Sequence, residues 1–321
     1  MASTLVPRVI SRVISAHQAR EGGGFVIRRS IGSGDLRNLD PFLMLDHMGP
    51  VNYKPGEAVG APDHPHRGFE TVTYVLDGGF HHQDSVGNEG FLTAGWVQWM
   101  TAGRGVIHSE MPTDELLEKG GRNEGFQLWV NLPTKDKMTA PRYQDTAPEK
   151  IPKVKTPDGL GEVVVIAGET LGTKAYIETR SPITHLDVRL QKGGSFTHTI
   201  ASSHNAFFYV YRGAGEFGGE NKKAKEGQYF VLEKGTGNTF TMTATGEEGC
   251  RGLLLTGEPI GEPIVQHGPF VMNTQAEIMQ AFKDYQNGVL AAPIKGSEER
   301  YAKTEAAVRA QKESGRWNGD L

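Results

Sequence analysis

The chain has 321 residues, of which 37% are hydrophobic and 22% are charged, so it can bury the core of one large domain or of two ordinary ones. A formal net charge of −4 excludes a strongly basic protein that binds nucleic acid by neutralising phosphates, and no direct contact with nucleic acid is expected. A single cysteine, Cys250, excludes an internal disulfide framework and a paired-cysteine zinc or redox site. A metal ion would therefore need His, Asp or Glu ligands.

The first 20 residues contain three arginines and several serines but no Asp or Glu, which is the composition of an organellar transit peptide. The pairs Val9-Ile10 and Val13-Ile14 instead resemble strand residues of the mature protein, and this second interpretation is favoured. Apolar runs further along, such as residues 206–211, are far shorter than the roughly 20 residues that a membrane helix needs. A soluble protein without membrane contact is expected.

Residues 25–270 consist of short β-branched and aromatic segments separated by Gly, Pro, Asp and Asn, a pattern typical of β-sandwiches and barrels. Several prolines in residues 134–160 indicate an extended connection between two β-rich halves. A capping-box pattern at residues 274–277 predicts an amphipathic helix over 275–287. A second, more polar helix is predicted for residues 298–312.

The two β-rich halves resemble a diverged repeat. The segment Tyr74-Val-Leu-Asp-Gly78 aligns with Tyr209-Val-Tyr-Arg-Gly213, an offset of 135 residues, and the next matching segments align at an offset of 132. Both halves are therefore predicted to share one β-fold. We divide the chain into an N-terminal metal-binding barrel at 1–134, a connecting segment at 135–160, a C-terminal metal-free barrel at 161–272 and a helical tail at 273–321.

The residues with the clearest chemical role lie in the first half, where His64-Pro-His66 precedes a segment rich in strand formers. Side chains alternate along a strand, so the two histidines point to the same face. Forty-two residues further on, His108-Ser-Glu110 offers an imidazole and a carboxylate at the same spacing. Two neighbouring strands of this kind can surround one divalent cation, and such nitrogen and oxygen ligands suit Fe, Mn, Ni, Cu or Zn better than Ca or Mg. The predicted metal ligands are His64, His66, His108 and Glu110.

The repeat provides an internal comparison for these four ligands. At the offsets given above, the matching positions in the second half carry side chains that are poor ligands for a hard metal ion. Metal binding is therefore predicted for the first half alone. The matching residues are Thr199, Ala201, Phe240 and Met242.

Several residues near the predicted metal site carry further predictions. Glu70, four residues after the second histidine and therefore on the same face of the same predicted strand, is a further ligand, the partner of Arg67 or Arg104, or an outer partner of a ligand. His81 and His82 follow a glycine turn and are predicted to face solvent, and the remaining histidines, His198 among them, are interpreted as structural. Four aromatic and apolar residues are candidates for a pocket wall or for ordinary core: Phe69, Trp96, Trp99 and Met100.

Four motifs of the chain occur together in one known family. They are Asp63-His-Pro-His-Arg-Gly-Phe-Glu-Thr-Val72, Gln98-Trp-Met-Thr-Ala-Gly-Arg-Gly-Val-Ile-His108, Gln127-Leu-Trp-Val-Asn-Leu132 and Gln266-His-Gly-Pro-Phe-Val-Met-Asn-Thr274. Through them the chain, from about residue 8 to 290, resembles the pirin family, bicupin proteins of the cupin superfamily.

The resemblance implies an all-β fold of two stacked cupin β-barrels with short C-terminal helices. It implies an iron ion in the N-terminal barrel and no metal in the C-terminal barrel. It also implies that Glu70 is not a ligand. The ligands implied by the family are the same four residues that the spacing indicates: His64, His66, His108 and Glu110.

For the activity, the resemblance implies a quercetin (flavonol) 2,3-dioxygenase that uses O2 and releases carbon monoxide. Fe²⁺ with one carboxylate has a local charge near +1, which favours an anionic flavonolate, and Glu110 is placed to accept the substrate's 3-hydroxyl proton as a general base. Iron, as Fe²⁺ or on oxidation Fe³⁺, is the expected metal, with Mn, Ni, Cu or Zn as substitutes.

The family also implies an alternative of a different class. In it, the protein is an iron- and redox-dependent nuclear transcriptional coregulator, or binds a signalling partner, without essential catalysis. The expected partners are thus a flavonol-type small molecule and O2, or a transcription factor or signalling protein. A monomer located in nucleus and cytoplasm is expected.

Overall fold

The computed structural model describes residues 4–291, and most of its regular structure is β-strand. The strands before residue 149 are β1 (Ile14–Ser15), β2 (His17–Glu21), β3 (Phe25–Ile31), β4 (Phe42–Tyr53), β5 (Ala61–His66), β6 (Phe69–Asp77), β7 (Gly79–Asp84), β8 (Glu89–Thr93), β9 (Val97–Thr101), β10 (Val106–Pro112), β11 (Gly121–Asn131) and β12 (Arg142–Thr146). The later strands are β13 (Lys153–Lys155), β14 (Gly161–Ala167), β15 (Glu169–Thr170), β16 (Thr173–Lys174), β17 (Ile183–Leu190), β18 (Ser195–Thr199), β19 (Asn205–Phe217), β20 (Lys222–Lys225), β21 (Gln228–Leu232), β22 (Thr239–Ala244), β23 (Cys250–Gly257), β24 (Val265–His267) and β25 (Phe270–Met272). The described helices are α1 (Asp114–Lys119), α2 (Gln275–Gln286) and a 3₁₀ turn at Thr134–Asp136. The prediction of an all-β fold is confirmed.

The chain forms two compact units that are discontinuous in sequence. Among the described residues, the N-terminal unit contains 18–29, 44–148 and 261–291, and the C-terminal unit contains 4–17, 30–43 and 149–260. The domain boundaries predicted from the sequence divide the chain at single points, and they stay a prediction.

Two sheets build the N-terminal unit. One has seven strands in the order β12-β9-β6-β11-β4-β3-β2, and the other has four in the order β5-β10-β7-β8. The chain passes from the second sheet to the first at Gly68, which has a φ of +89°, and a Cβ there would lie 1.9 Å from the carbonyl oxygen of Val271. Only glycine fits this crossing. Apolar side chains from both sheets, together with Val59 from the loop before β5, form a shared core cluster: Phe25, Ile27, Val59, Val75, Phe80 and Leu92.

The C-terminal unit contains one ten-stranded sheet that includes the path β1-β21-β19-β23-β17-β14-β13. The long strand β19 also pairs with β20 and β22, and β22 pairs with β18. Aromatic rings fill the interior: the centroid of Phe208 lies 5.2 Å from Phe217, 5.8 Å from Phe230 and 5.0 Å from Phe240. Packed rings of this kind contribute strongly to the core.

Both units use the same strand pairings, as the repeat predicted. In the N-terminal unit, β6, which contains Tyr74, pairs with β9 and β11. In the C-terminal unit, β19, which contains Tyr209, pairs with β21 and β23. The two tyrosines therefore occupy matching positions in one shared fold.

The strand register corrects one part of the repeat alignment. His64 of β5 lies opposite His108 of β10, and the residue opposite Phe240 is His198, not Thr199. The predicted match is wrong by one residue because the connection from this strand to the tyrosine strand is one residue longer in the C-terminal unit. The positions that match the four predicted ligands are His198, Ile200, Phe240 and Met242, and these four side chains are buried.

The helix predicted over 275–287 is present as α2. Thr274 Oγ1 accepts a hydrogen bond from the backbone N–H of Glu277 (3.2 Å), and the Glu277 carboxylate accepts one from the Thr274 N–H (2.8 Å). The helix predicted for 298–312 lies outside the described residues. Helix α1 was not predicted. Neither described helix is long and apolar enough to cross a membrane.

The segment 134–160, predicted to be an extended connection, begins with the 3₁₀ turn and contains two paired strands. Strand β12 pairs with β9 in the N-terminal unit, and β13 pairs with β14 in the C-terminal unit. Each unit therefore gains a strand from this segment.

One buried histidine makes the stability of the fold depend on pH. His185 on β17 is fully buried, and neither of its ring nitrogens has a hydrogen-bond partner among the described residues. Burial lowers its pKa from the usual 6.5 to about 4, against a weaker opposing effect of Asp187. Because the folded pKa is the lower one, this contribution to stability is complete above about pH 6.5 and is lost as pH falls towards 4.

We expect His185→Leu to reduce the loss of stability between pH 7.5 and pH 4.5, because the variant has no proton to bind in the unfolded state. Between pH 7.5 and pH 4.5, the variant should lose less unfolding free energy than the wild type, by an amount on the order of 2 kcal/mol. Chemical denaturation at both pH values measures it, with the exposed His17→Asn as control. If His185→Leu showed the same pH dependence as the wild type, His185 would not be a source of the pH-dependent stability.

Candidate metal centre

Two neighbouring antiparallel strands bring three histidines together. Strands β5 and β10 pair so that His64 lies opposite His108 and His66 lies opposite Val106. The ring centroids of His64 and His66 are 4.8 Å apart, and His108 lies 4.3 Å and 4.9 Å from them. One nitrogen from each ring lies within 4.8 Å of the others, so the three rings could hold a metal ion. The structure thus collects three of the four predicted ligands.

A β-bulge fixes the orientation of the first histidine. Between Ala61 and His64, β5 has one residue more than the paired part of β10. Pro62 lies in this bulge, where a residue without an N–H group is tolerated. Its carbonyl oxygen lies 2.7 Å from His64 Nδ1. A carbonyl can only accept, so Nδ1 carries the proton and the lone pair of Nε2 remains for a metal.

The other two rings are buried and neutral. His66 is 2% exposed and His108 is 1% exposed. Burial lowers the pKa of both well below the usual range, and the neighbouring His64 adds to the effect. Both nitrogens of His66 and Nε2 of His108 lack a hydrogen-bond partner in the described chain. Buried polar atoms without partners are costly, so a divalent cation fits this donor set.

Glu110, the fourth predicted ligand, lies on the same strand as His108 but outside the three-histidine group. Its Oε1 accepts a hydrogen bond from Thr73 Oγ1 (3.0 Å), and its Oε2 accepts one from Gln127 Nε2 (2.9 Å). Each oxygen keeps a further lone pair, so these bonds orient the carboxylate without saturating it. Its roles as ligand and base stay predictions.

Glu70, the alternative ligand, lies in a different sheet from His66. The prediction that Glu70 and His66 lie on one strand is wrong, because the chain turns at Gly68 between β5 and β6. The Glu70 carboxylate accepts a hydrogen bond from Thr101 Oγ1 at 2.6 Å. It is not part of the three-histidine group.

The prediction that His81 and His82 face solvent is wrong, since they are 6% and 1% exposed. Strand β7 pairs with β10 so that His82 lies opposite Glu110. His82 Nε2 lies 3.1 Å from Nδ1 of His108, and burial lowers the pKa of His82. The spacing His82-Gln-Asp84 mirrors His108-Ser-Glu110, and this signal could have identified His82 from the sequence.

Helix α2 and the β24–β25 hairpin hold the chain where it leaves the centre. Arg67 donates a hydrogen bond to the Asp284 carboxylate of α2 at 2.7 Å, and its backbone carbonyl accepts one from Val271 N–H at 3.0 Å. The buried Lys137 ammonium donates to the carbonyl of Gly68 at 2.8 Å and to Asn131 Oδ1 at 2.7 Å. These contacts restrain the position of the histidine that precedes Arg67.

A cavity of about 550 Å³ includes His64, His66 and Glu110 in its wall, a volume typical of small-molecule sites. The predicted wall residues Phe69, Trp96, Trp99 and Met100 are not part of the lining, and three of them are fully buried core. The main apolar lining residues are instead Phe25, Ile27, Met44, Met48, Phe80 and Trp129.

The charged lining of the cavity is mostly acidic. Arg29 binds both carboxylate oxygens of Asp46 at 2.7 Å and the Glu21 carboxylate at 2.9 Å. Asp63 and Glu110 also line the cavity. Burial raises the pKa of Asp46, while Arg29 opposes this shift. The carboxylates outnumber the guanidinium, so the lining favours a bound cation.

Family comparison agrees with the fold. The family model described as Pirin matches residues 24–130, and the model described as Pirin C-terminal cupin domain matches residues 185–291. Two β-rich units of cupin type, one with a histidine triad, define a bicupin. A pirin-like protein of Solanum lycopersicum is 45% identical over 282 residues, which cover 88% of this chain and 92% of that protein. The chain belongs to the pirin family.

Solved structures share this architecture. A structure described as quercetin 2,3-dioxygenase from Acinetobacter baumannii has a TM-score of 0.83 and 37% identity and covers 89% of this chain and 99% of its own. A bacterial pirin from Escherichia coli in complex with nickel(II) has a TM-score of 0.58 and 20% identity, covering 78% of this chain and 100% of its own. The second likeness shows the fold alone.

We expect His64→Ala and His108→Ala to lose the bound metal while remaining folded, because each unit keeps its own core. Loss of an outer-sphere partner already weakens metal binding about 10- to 100-fold, so loss of a ligand should cost at least about 100-fold. Metal content after gel filtration measures this, and thermal unfolding checks the fold. His198→Ala, at the matching position of the C-terminal unit, is the control. Wild-type metal content in His64→Ala would refute the assignment.

Proposed function

We propose that this protein is an iron-dependent flavonol 2,3-dioxygenase that opens quercetin-type substrates with O2 and releases carbon monoxide. The observation that carries the proposal is the group of three imidazoles, two of which form part of the wall of a 550 Å³ cavity. The likeness to the Acinetobacter baumannii quercetin 2,3-dioxygenase structure at 37% identity supports the substrate class.

In this proposal His64, His66 and His108 hold the metal and Glu110 is the fourth ligand. A bound divalent iron ion supplies a Lewis acid for the substrate hydroxyl and redox chemistry towards O2. Nitrogen and oxygen ligands also accept Mn, Ni, Cu or Zn, and nickel is the metal in the Escherichia coli pirin structure. Because the ligands suit several metals, the choice of iron is itself proposed.

Glu110 is the proposed general base for the flavonol 3-hydroxyl. Its carboxylate lines the cavity and is aimed by hydrogen bonds from Thr73 and Gln127. A carboxylate held in this way can take up the hydroxyl proton at a lone pair that neither neighbour uses. The two donors then keep the protonated group in place.

The charges of the cavity change the expected form of the substrate. The local charge near +1 that was expected from the sequence counts only the metal and Glu110. When Arg29 and the carboxylates of Glu21, Asp46 and Asp63 are included, the four negative charges exceed the three positive charges of the metal and Arg29 by one. We therefore propose that a neutral flavonol enters and loses its proton beside Glu110, rather than entering as an anion.

Aromatic side chains of the lining orient a planar substrate in this proposal. The ring of Trp129 lies 5.3 Å from the His66 ring and 4.4 Å from Phe69, which fixes its position. Phe25 and Phe80 contact each other at 5.8 Å elsewhere in the lining. Flat apolar faces of this kind stack with a flavonol and exclude water around its reacting end.

The proposal is tested by quercetin turnover. The protein is loaded with Fe²⁺ without oxygen, its bound metal is measured, and air is admitted while loss of flavonol absorbance and release of carbon monoxide are followed. We expect turnover in the wild type and none in His64→Ala. A wild-type protein with one iron bound and no turnover would overturn the dioxygenase proposal.

We expect Glu110→Gln to lower kcat by about 100-fold or more, because an amide is a poor ligand and cannot act as a base at neutral pH. Glu70→Gln is the matched control, since Glu70 is a buried glutamate outside the histidine group. Its kcat should stay near the wild-type value. Full activity in Glu110→Gln would remove Glu110 from the mechanism, and a larger loss in Glu70→Gln would exchange the two roles.

The partner-binding role in the nucleus remains the alternative proposal. The quercetin turnover experiment distinguishes the two proposals, because a metal-loaded protein without turnover would favour the partner-binding role. The monomeric state and the location in nucleus and cytoplasm stay predictions.

A further inference from the structure

A histidine that the proposed reaction does not use lies directly against the metal centre. His82 is 1% exposed on β7, and its Nε2 lies 3.1 Å from Nδ1 of His108. The two ring centroids are 5.2 Å apart with an angle of 55° between the planes. A contact of this length between two ring nitrogens is a hydrogen bond in which one ring donates and the other accepts.

The direction of this hydrogen bond decides whether His108 can bind a metal. If His82 donates, Nδ1 of His108 is the acceptor and the proton of His108 lies on Nε2, where it blocks coordination. That Nε2 is buried and has no hydrogen-bond partner in the described chain, so an N–H there would be an unpaired buried donor. If His108 donates from Nδ1, the lone pair of Nε2 remains available.

We infer that His82 is a positioning residue of the metal centre that accepts the Nδ1–H hydrogen bond of His108 and keeps the His108 Nε2 lone pair available for the metal. His82 then does for His108 what the Pro62 carbonyl does for His64. Outer partners of this kind select the tautomer and orientation of a ligating imidazole.

The position of His82 is itself restrained from two sides. The pairing of β7 with β10 places His82 opposite Glu110 and Asp84 opposite His108. The Asp84 carboxylate accepts hydrogen bonds from Asn88 N–H (2.8 Å) and Asn88 Nδ2 (2.7 Å), which hold the end of the strand. On its other side the His82 ring lies 5.3 Å from the ring of Tyr143. The acceptor is therefore held by packing and by strand pairing.

The C-terminal unit provides an internal comparison for this pair. There, Phe240 matches His108 and Met242 matches Glu110. The pairing of β19 with β22 places Phe217 opposite Met242, just as His82 lies opposite Glu110, so Phe217 occupies the position that matches His82. The rings of Phe217 and Phe240 are 6.3 Å apart and nearly parallel. Both imidazoles of the pair are thus phenyl rings in the unit that lacks the triad, which is expected if His82 serves His108. The comparison also shows that this fold accommodates phenylalanine at the position of His82.

Metal affinity tests the inference. It rests on the proposed metal site but not on the proposed reaction, so dissociation constants for Co²⁺ and Zn²⁺ are measured by chelator competition instead of turnover. We expect His82→Phe to weaken binding about 10- to 100-fold, the range for outer partners of metal ligands. His82→Gln should recover much of this loss, because its amide oxygen can accept the hydrogen bond. Circular dichroism verifies that the variants are folded.

The neighbouring residue supplies the matched control. His81 lies on the same strand, bonds the Glu89 carboxylate at 2.6 Å and stacks on Phe91 at 4.1 Å. His81→Phe makes the same chemical change without touching His108, and its metal affinity should equal that of the wild type.

The tautomer of His108 gives a second readout that a merely structural role would not change. In the metal-free protein, ¹⁵N NMR should show the proton of His108 on Nδ1 in the wild type and in His82→Gln. In His82→Phe that preference should be lost.

Three results would overturn the inference: unchanged metal affinity in His82→Phe, equal losses in the Phe and Gln variants, or a wild-type His108 proton on Nε2. If the wild type itself binds neither metal, the proposed metal centre fails and His82 has no such role. If the wild type binds metal and His82→Phe binds it equally well, only the positioning role fails.

Discussion

The antiparallel pairing of β5 with β10 is the constraint on which the centre depends. It sets His64 opposite His108 and brings His66 to the same group, while the bulge at Pro62 turns a carbonyl towards the first ring. A shift of one residue would send each of these side chains to the opposite face of the sheet. The glycine crossing at residue 68 and the contacts of Arg67 with helix α2 restrain the end of this strand.

Burial, hydrogen-bond partners and the charged cavity lining determine whether the three histidine rings can act as metal ligands. Burial keeps His66 and His108 neutral. The Nδ1 atoms of His64 and His108 have hydrogen-bond partners in Pro62 and His82, and in the proposed arrangement this leaves their Nε2 lone pairs for a metal. The acidic lining of the cavity favours a cation and more than balances the charge that a divalent cation would bring. The same site thus combines a group of residues that could hold a metal ion with a cavity of the size typical of small-molecule sites.

The two units show that this chemistry belongs to the side chains and not to the fold. Both use the same strand pairings, yet the C-terminal unit places Ile200, Phe240 and Met242 where the other has ligands. Only His198 remains at its matching position, where its Nδ1 lies within hydrogen-bonding distance of Thr170 Oγ1 (3.0 Å). Aromatic packing fills the space around these residues. One fold therefore supports a polar site in one unit and an apolar core in the other.

The amino-acid sequence alone was sufficient for features that depend on local spacing: the β-rich fold, the capping box of α2, and the placement of His64 and His66 on one face of a strand. His108 was predicted to join them from its own motif, and the pairing of β5 with β10 is what brings it there. Alternation along a strand and hydrogen bonding within a helical turn are properties of neighbouring residues. Only the tertiary structure decided that Glu70 lies in the other sheet, that His82 contacts His108, and which aromatic residues line the cavity. These outcomes depend on where the chain crosses between sheets and on which strands pair in which register, and residues distant in sequence determine both.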